Sequence, residues 1–163
     1  MKKEIRIRLA EMGELSYVSY FNMKLYREQY NLNPCFELYA LDAMAWMMRH
    51  PEGSALYVAC AGEQIVGSIQ ILRDDEHTAQ IRWFAVDADY RGNGIGSALM
   101  DTAKAFCIKQ GYTNVFLGTI DFLTNARRLY ARYGFELTRT WMNDEWRDTP
   151  LKEERWELTK WKQ

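Results

Sequence analysis

The chain has 163 residues, 48% of them hydrophobic and 14% aromatic, which is enough to bury one sizeable core and too few for two ordinary domains. Its 21 basic and 22 acidic residues give a formal charge of -1, so no general attraction to nucleic acid is expected. No apolar run approaches the roughly 18 residues that cross a bilayer, and no signal-peptide core follows the first residues. We therefore expect a cytoplasmic protein without a membrane segment, with residues 1–163 forming one domain.

The cysteines argue against both a disulfide framework and a metal site. Cys35, Cys60 and Cys107 lie far apart, and their number is odd. Neither a CxxC pair nor a histidine cluster accompanies them, so the sequence offers no metal-ligand pattern.

The first half of the chain predicts a strand, two helices and a group of antiparallel strands. Residues 4–9 alternate charged and apolar side chains, as a strand with one buried face does. Residues 14–30 and 38–49 place apolar side chains every three to four positions, which predicts two amphipathic helices. Strand-like runs separated by turn residues follow at 55–61, 64–72 and 78–86.

The second half predicts a strand-helix-strand crossover and then a helix and two strands. A glycine-rich segment follows Val86 and leads into the crossover helix. The predicted elements are a helix at about 94–110, a strand at 114–118, a helix at 125–133 and strands at 135–142 and 154–161.

Residues 83–100 carry the pattern with the clearest chemical meaning, because Arg91, Gly92, Gly94 and Gly96 stand where a strand meets a helix. Glycine lets the backbone turn tightly and approach a ligand, and the free N–H groups at a helix start attract anions. Each exposed dipole contact contributes only about 0.3–1 kcal/mol, so several have to act together with Arg91. The segment predicts a pyrophosphate-binding loop, and its spacing fits neither a dinucleotide fingerprint nor a P-loop.

Arg91, Gly94 and Gly96 match the signature of the GNAT acetyltransferases, which is Arg or Gln, two variable residues, Gly, one variable residue, then Gly or Ala. Residues 126–135 are similar to the second cofactor motif of that family, and the resemblance covers residues 4–161. It implies an α/β (α+β mixed) fold, with a mostly antiparallel sheet of about six or seven strands, about four flanking helices and a splayed middle that binds CoA. Residues 25–30 and 155–158 look closest to acetyltransferase domains found alone or fused to MarR-type regulators.

The resemblance implies an N-acetyltransferase. The acetyl group of acetyl-CoA would pass to a primary amine of a small molecule or peptide by direct attack in a ternary complex, without a metal. A non-catalytic acyl-CoA-binding sensor module is the alternative, and a covalent route through Cys107 or Cys60 is less favoured. A homodimer is compatible with the resemblance.

For the cofactor, the resemblance implies that the strand before the glycine loop bonds the pantetheine amides and that the loop holds the pyrophosphate through main-chain N–H groups. The residues implied are Phe84, Ala85, Val86, Arg91, Gly92, Asn93, Gly94, Ile95, Gly96 and Ser97. Asn125 either bonds the cofactor or caps a helix, because the family more often has its asparagine where this chain has Leu123.

For catalysis, the resemblance implies that Tyr130 protonates the departing thiolate of CoA, because a tyrosine commonly stands four residues before the GlyPhe pair. A phenol with an ordinary pKa near 10 keeps its proton at neutral pH, and general acid catalysis contributes about 10² to 10⁴-fold. The alternative for Tyr130 is a core aromatic. Glu76, His77 and Asp121 fit solvated surface better than a general base.

Two segments are candidates for the acceptor site. Met44, Trp46, Met47 and Met48 either line an acceptor pocket or belong to the core face of the second helix. Asp144, Glu145 and Asp148 lie with Trp141 and Trp146 in a loop that the resemblance places beside the acceptor. Carboxylates and aromatic faces attract cations, so we expect a small cationic amine and not an anionic acceptor.

Overall fold

The computed structural model describes residues 3–163, which form four α-helices, one 3₁₀ turn and seven strands. The helices are α1 (Glu14–Tyr30), α2 (Phe36–Arg49), α3 (Ile95–Gln110) and α4 (Thr124–Tyr133). The strands are β1 (Ile5–Leu9), β2 (Ala55–Ala61), β3 (Gln64–Arg73), β4 (Thr78–Val86), β5 (Asn114–Ile120), β6 (Glu136–Asn143) and β7 (Leu151–Leu158). The predicted α/β class and the order of its elements are confirmed.

All seven strands belong to one sheet, in the order β1-β2-β3-β4-β5-β7-β6. The β4–β5 pair is parallel, and the other neighbouring pairs are antiparallel. Helix α3 joins the two parallel strands, since such strands need a long crossover. This is the crossover unit that the sequence predicts.

The core occupies both faces of the sheet. Along β3, Ile71 packs with the α3 residues Leu99 and Met100, whereas Leu72 packs with residues of α1 and α2. Adjacent strand residues point to opposite faces, so α3 and α4 cover one face and α1 and α2 the other.

The methionines of α2 divide between core and surface. Met44 and Met47 are buried, and their sulfur atoms lie 3.4 and 3.7 Å from the side-chain nitrogen of Gln70. Trp46 and Met48 are exposed. Of the two interpretations of this segment, the structure supports the core for Met44 and Met47.

Strand β7 begins and ends three residues earlier than the sequence predicts. Its partners fix it: Leu151 pairs with Asn143 of β6, and Glu153 pairs with Ile120 of β5. The charged run at 152–155 resembles a loop in sequence, but its residues alternate between two faces of a paired strand. The connecting loop is therefore residues 144–150, and Trp141 belongs to β6.

Strands β4 and β5 separate at their C-terminal ends. They pair from Thr78 with Asn114 to Ile81 with Leu117, and no pairing follows. Beyond that point β4 carries an irregularity against β3, and Trp83 has a φ of +45°, which is rare for a bulky residue. The extra residue in β4 bends the strand and opens the splayed middle of the sheet.

Candidate active site

Two neighbouring cavities lie beside the unpaired ends of β4 and β5. The larger, of about 570 Å³, contains the glycine loop and is called the glycine cavity. The smaller, of about 300 Å³, is lined by Trp83, Trp141 and Trp146 and is called the tryptophan cavity. Tyr26 and Leu123 line both, so these two side chains stand where the cavities meet.

The structure brings most of the residues implied for the cofactor into the glycine cavity. Those that line it are Phe84, Ala85, Val86, Arg91, Gly92, Gly94, Ile95, Gly96, Ser97 and Asn125. Asn93 is not among them. Its side-chain amide donates to the carbonyl groups of Tyr90 and Arg91, at 3.0 and 3.2 Å, so it stabilises the turn of the loop.

The start of α3 is built to receive an anion. Gly94 is the N-cap residue, with a φ of +78°, and no side chain of residues 3–163 caps this terminus. The first N–H groups of the helix therefore remain available. A Cβ atom added at Gly92 or Gly94 would meet nothing within 4 Å, so the loop leaves open space beside these groups. A diphosphate suits this space and this polarity.

Two arginines add positive charge to the glycine cavity. Arg91 donates from Nε to the carbonyl of Val86 at 3.2 Å and from Nη2 to the side chain of Gln29 at 3.1 Å. Arg132 donates from Nη2 to the hydroxyl of Ser97 at 3.2 Å. The sequence analysis missed Arg132, although its spacing of three from Leu129, another lining residue, points to the same face of α4.

The helix-cap interpretation of Asn125 is wrong. Leu123 is the N-cap residue of α4 and makes no side-chain cap bond, and Asn125 is the second residue of the helix. Asn125 instead lines the glycine cavity. Leu123, where the family more often has asparagine, lies at the junction of the two cavities.

Tyr130 is buried behind the junction and lines neither cavity. Its ring centroid lies 6.1–6.3 Å from those of Phe84, Phe135 and Trp156. Burial raises the pKa of Tyr130 above its ordinary value, as does the nearby Tyr26, whereas the Thr119 hydroxyl opposes the shift. Thr119 Oγ1 makes no hydrogen bond of normal geometry among the described residues, but Thr119 lines the tryptophan cavity.

Tyr26 is a second phenol at the site, and the sequence analysis did not single it out. It lines both cavities, and its ring meets that of Trp83 edge-on at 6.3 Å. Burial, with a smaller contribution from Tyr30, raises the pKa of Tyr26 to about 12. No local motif marks Tyr26, because its place depends on how α1 packs across the splayed sheet.

The cysteines stand apart from both cavities. Cys60 and Cys107 are buried, and burial raises the pKa of the Cys107 thiol to about 12. Since the thiolate is the reactive form of cysteine, this environment works against a covalent route through Cys107.

Aromatic rings form one wall of the tryptophan cavity. The ring centroids of Phe36 and Tyr39 lie 4.7 and 5.6 Å from that of Trp146. The charged residues that line the cavity are Arg82, Glu153 and Arg155. Glu153 accepts hydrogen bonds from Trp141 Nε1 at 2.6 Å and from the Asn143 amide at 3.0 Å. Glu153 was missed because it precedes the strand that the sequence predicts.

The structure does not bring the expected acidic cluster to this cavity. Asp144, Glu145 and Asp148 are exposed and do not line it, whereas Trp141 and Trp146 do. Glu145 instead holds the loop through its backbone carbonyl, which accepts from Asn33 and from Cys35 Sγ. The loop therefore packs on the connection between α1 and α2, and its acids face outward.

The other candidates for proton transfer lie elsewhere. Glu76, His77 and Asp121 line neither cavity. In the described part of the chain, no group of three or more His, Cys, Asp or Glu residues is arranged to hold a metal ion. Nor does any helix of residues 3–163 combine the length and apolar character needed to cross a bilayer.

Comparison with known proteins identifies the family. The model of the acetyltransferase (GNAT) family matches residues 19–135. An N-acetylaspartate synthetase from Danio rerio is 36% identical over 95 residues, which are 58% of this chain and 33% of that protein. The chain thus spans about a third of that relative's length.

Solved structures agree on the fold. A GNAT-family acetyltransferase from Staphylococcus aureus Mu50 superposes with a TM-score of 0.76 at 21% identity, over 95% of this chain and 98% of that one. Another, from Elizabethkingia anophelis, was solved with acetyl-CoA bound; its TM-score is 0.67 at 20% identity, over 96% of this chain and 98% of that one.

Proposed function

Because the chain belongs to the acetyltransferase (GNAT) family, we propose that it is an acyltransferase that moves the acetyl group of acetyl-CoA to a primary amine. The single observation that carries this proposal is the meeting of the two cavities at Tyr26 and Leu123. An acyl donor in one cavity and an acceptor in the other would meet at that point. This geometry supports a ternary complex with direct attack, since neither substrate would have to leave before the other enters.

In this proposal the glycine cavity holds CoA. The N–H groups at the start of α3 receive the diphosphate, and Arg91 and Arg132 add charge-assisted hydrogen bonds. The backbone of β4 from Phe84 to Val86, which has no partner on its β5 side, runs along the same cavity and offers groups for the pantetheine amides. Asn93 supports the loop without contributing to the wall.

The chemistry needs two proton transfers. The neutral amine attacks the acetyl carbonyl, a C–N bond forms, and the C–S bond breaks to release a thiolate. We propose, as the family resemblance implies, that Tyr130 returns a proton to that thiolate; it lines neither cavity, so it would act from its position beside Phe84, which lines the glycine cavity. Glu153 faces the acceptor side and is the group available to take the proton that the amine loses.

Two measurements test the proposal together. Isothermal titration reports binding of acetyl-CoA, and thiol release over a panel of amines reports turnover. Binding with amine-dependent release of CoA supports a transferase. Binding with no turnover on any amine would favour the non-catalytic acyl-CoA-binding sensor.

Other parts of the proposal rest on the sequence alone. These are one N-acetyltransferase domain over residues 1–163, a cytoplasmic location and an optional homodimer. The closeness to domains fused to MarR-type regulators, suggested by residues 25–30 and 155–158, also remains a prediction. Size measurement in solution tests the homodimer.

A further inference from the structure

We propose that the acceptor carries a carboxylate beside its amine, and that Arg82 and Arg155 in the tryptophan cavity bind that carboxylate. This inference rests on the proposed function, because it names the substrate class of the same site. It revises the expectation of a small cationic amine, which depended on acids that the structure places outside the cavity.

The strand register sets the two arginines on one face of the sheet. Gly118 of β5 pairs with Arg155 of β7. The last β4–β5 pair is Ile81 with Leu117, so Arg82 and Gly118 are the next residues of their strands, where β4 begins to separate from β5. Residues that stand opposite each other in neighbouring strands share a face. Arg82, Gly118 and Arg155 all line the tryptophan cavity, so the two arginines lie on the strands either side of the one that carries the glycine.

The glycine leaves space between the arginines. A Cβ atom added at Gly118 would meet only the backbone oxygen of Glu154, at 3.9 Å. A larger residue at this position would project into the cavity from its floor. The space above Gly118 suits a small ligand group held from both sides.

The charges of the cavity leave an excess of positive groups. Among the described residues, Glu153 is the one acid that lines this cavity, against Arg82 and Arg155. Arg155 Nη2 forms an ion pair with Glu157 Oε1 at 3.2 Å, and Cζ of Arg155 lies 3.9 Å from the centroid of the Phe116 ring. For Arg82, no carboxylate within residues 3–163 lies at ion-pair distance, although Asp42 is near enough to act on it through charge.

Two tryptophans that line this cavity have indole N–H groups without partners among the described residues. Within the described chain, the indole nitrogens of Trp83 and Trp146 are buried and make no hydrogen bond. Trp83 is 7% exposed, and an indole N–H can only donate. A buried donor without a partner is unfavourable, so these groups favour a ligand that accepts hydrogen bonds. A carboxylate supplies such acceptors, whereas an ammonium group supplies none.

An amino carboxylate fits both signs of charge. Its carboxylate matches the two guanidinium groups, which bind planar anions through paired N–H donors. Its amine, once protonated in solution, is attracted to Glu153. The amine must then reach the junction at Tyr26 and Leu123 to meet the acyl donor.

The test compares common amino acids with their C-terminal amides and with the corresponding decarboxylated amines. We expect kcat/KM to be about tenfold or more higher for the acids, because charged hydrogen bonds are lost in the other two series. Arg82→Gln and Arg155→Gln should each raise KM for the acids about 10- to 100-fold and leave the acetyl-CoA Kd unchanged. Arg6→Gln is the control, since Arg6 is exposed on β1, at the opposite edge of the sheet from β7 and β6, and lies outside the cavity lining.

A binding measurement separates the two proposals. Amino acids are titrated into the protein saturated with CoA, which needs no turnover. Binding that Arg82→Gln and Arg155→Gln weaken, without acetylation of any amine, would support the carboxylate site at these arginines but overturn the proposed function and, with it, the role of the ligand as acceptor. Equal acetylation of acids, amides and plain amines would overturn this inference alone. Acids that neither bind nor react would also overturn it.

Discussion

Gly94 and Gly111 stand at opposite ends of α3 with the same φ of +78°, and a Cβ atom added at either would meet nothing within 4 Å. The two glycines thus carry the same conformational constraint, yet only Gly94 lines the glycine cavity. A pair of equal substitutions can therefore separate backbone strain from loss of the ligand.

Gly94→Glu should weaken acetyl-CoA binding by more than about tenfold, because the side chain and its negative charge would occupy the diphosphate position. Gly111→Glu imposes a similar strain, on the order of 1–2 kcal/mol, and should leave the Kd near that of the unchanged protein. Isothermal titration of both variants gives the comparison. If Gly94→Glu bound acetyl-CoA as tightly as the unchanged protein does, the glycine loop would not be part of the cofactor site.

Tyr130→Phe should lower kcat by about 10² to 10⁴-fold, because the substitution removes the hydroxyl that donates the proton and keeps the packed ring. The acetyl-CoA Kd should change by no more than a few-fold. Tyr26→Phe removes a phenol that lines both cavities and should lower kcat less than tenfold. Steady-state kinetics under conditions where chemistry is rate-limiting give both kcat values. A larger loss of kcat in Tyr26→Phe than in Tyr130→Phe would show that Tyr130 is not the proton donor.

The rate should rise with pH and then level off, because the attacking amine must be neutral. The pKa of Tyr26 is raised to about 12 and that of Tyr130 above its ordinary value, so neither phenol loses its proton below about pH 10. Any stability that these neutral phenols contribute is likewise complete below the unfolded pKa near 10 and is lost only at higher pH.

Profiles of kcat/KM from pH 6 to 10 with amines of different basicity test this expectation. The midpoint should follow the pKa of the amine. A fall between pH 8 and 10 that disappears in Tyr130→Phe would mean that the tyrosine loses its proton far earlier than its burial implies.

Glu153→Gln should lower kcat/KM for the amine by about tenfold or more, because the amide keeps the shape of the side chain but not its charge or basicity. The bond from Trp141 can persist, and the acetyl-CoA Kd should not change. Asp148→Asn is the control, as an exposed acid of the neighbouring loop. Loss of activity in Asp148→Asn with full activity in Glu153→Gln would contradict the role of Glu153 as proton acceptor and would assign that role to the loop.

The glycine loop could be predicted because its chemistry is local. The turn, the helix start and Arg91 follow one another within a few residues, so spacing alone brings them together. The tryptophan cavity could not be predicted in the same way, since β4, β5 and β7 contribute Arg82, Gly118 and Arg155 from distant parts of the chain. Their meeting depends on strand order and register, which periodicity does not report.

Glu153 shows how a small error in a strand boundary changes a site. Moving β7 by three residues brings Glu153 into the sheet, whereas Asp144, Glu145 and Asp148 stay in the predicted loop but lie outside the cavity lining. The separation of β4 from β5 was implied by family resemblance, but the irregularity at Trp83 has no marker in the sequence.

The most direct test of the account is the fate of the acetyl group itself. Acetyl-CoA labelled with ¹³C in the acetyl group is incubated with the protein and an amino carboxylate, and the products are identified by mass spectrometry. The account predicts one labelled acetyl group on the amine nitrogen for each CoA released, in a product stable to hydroxylamine as an amide is. Label found only on hydroxyl or thiol groups, or CoA released without a labelled amide, would contradict it.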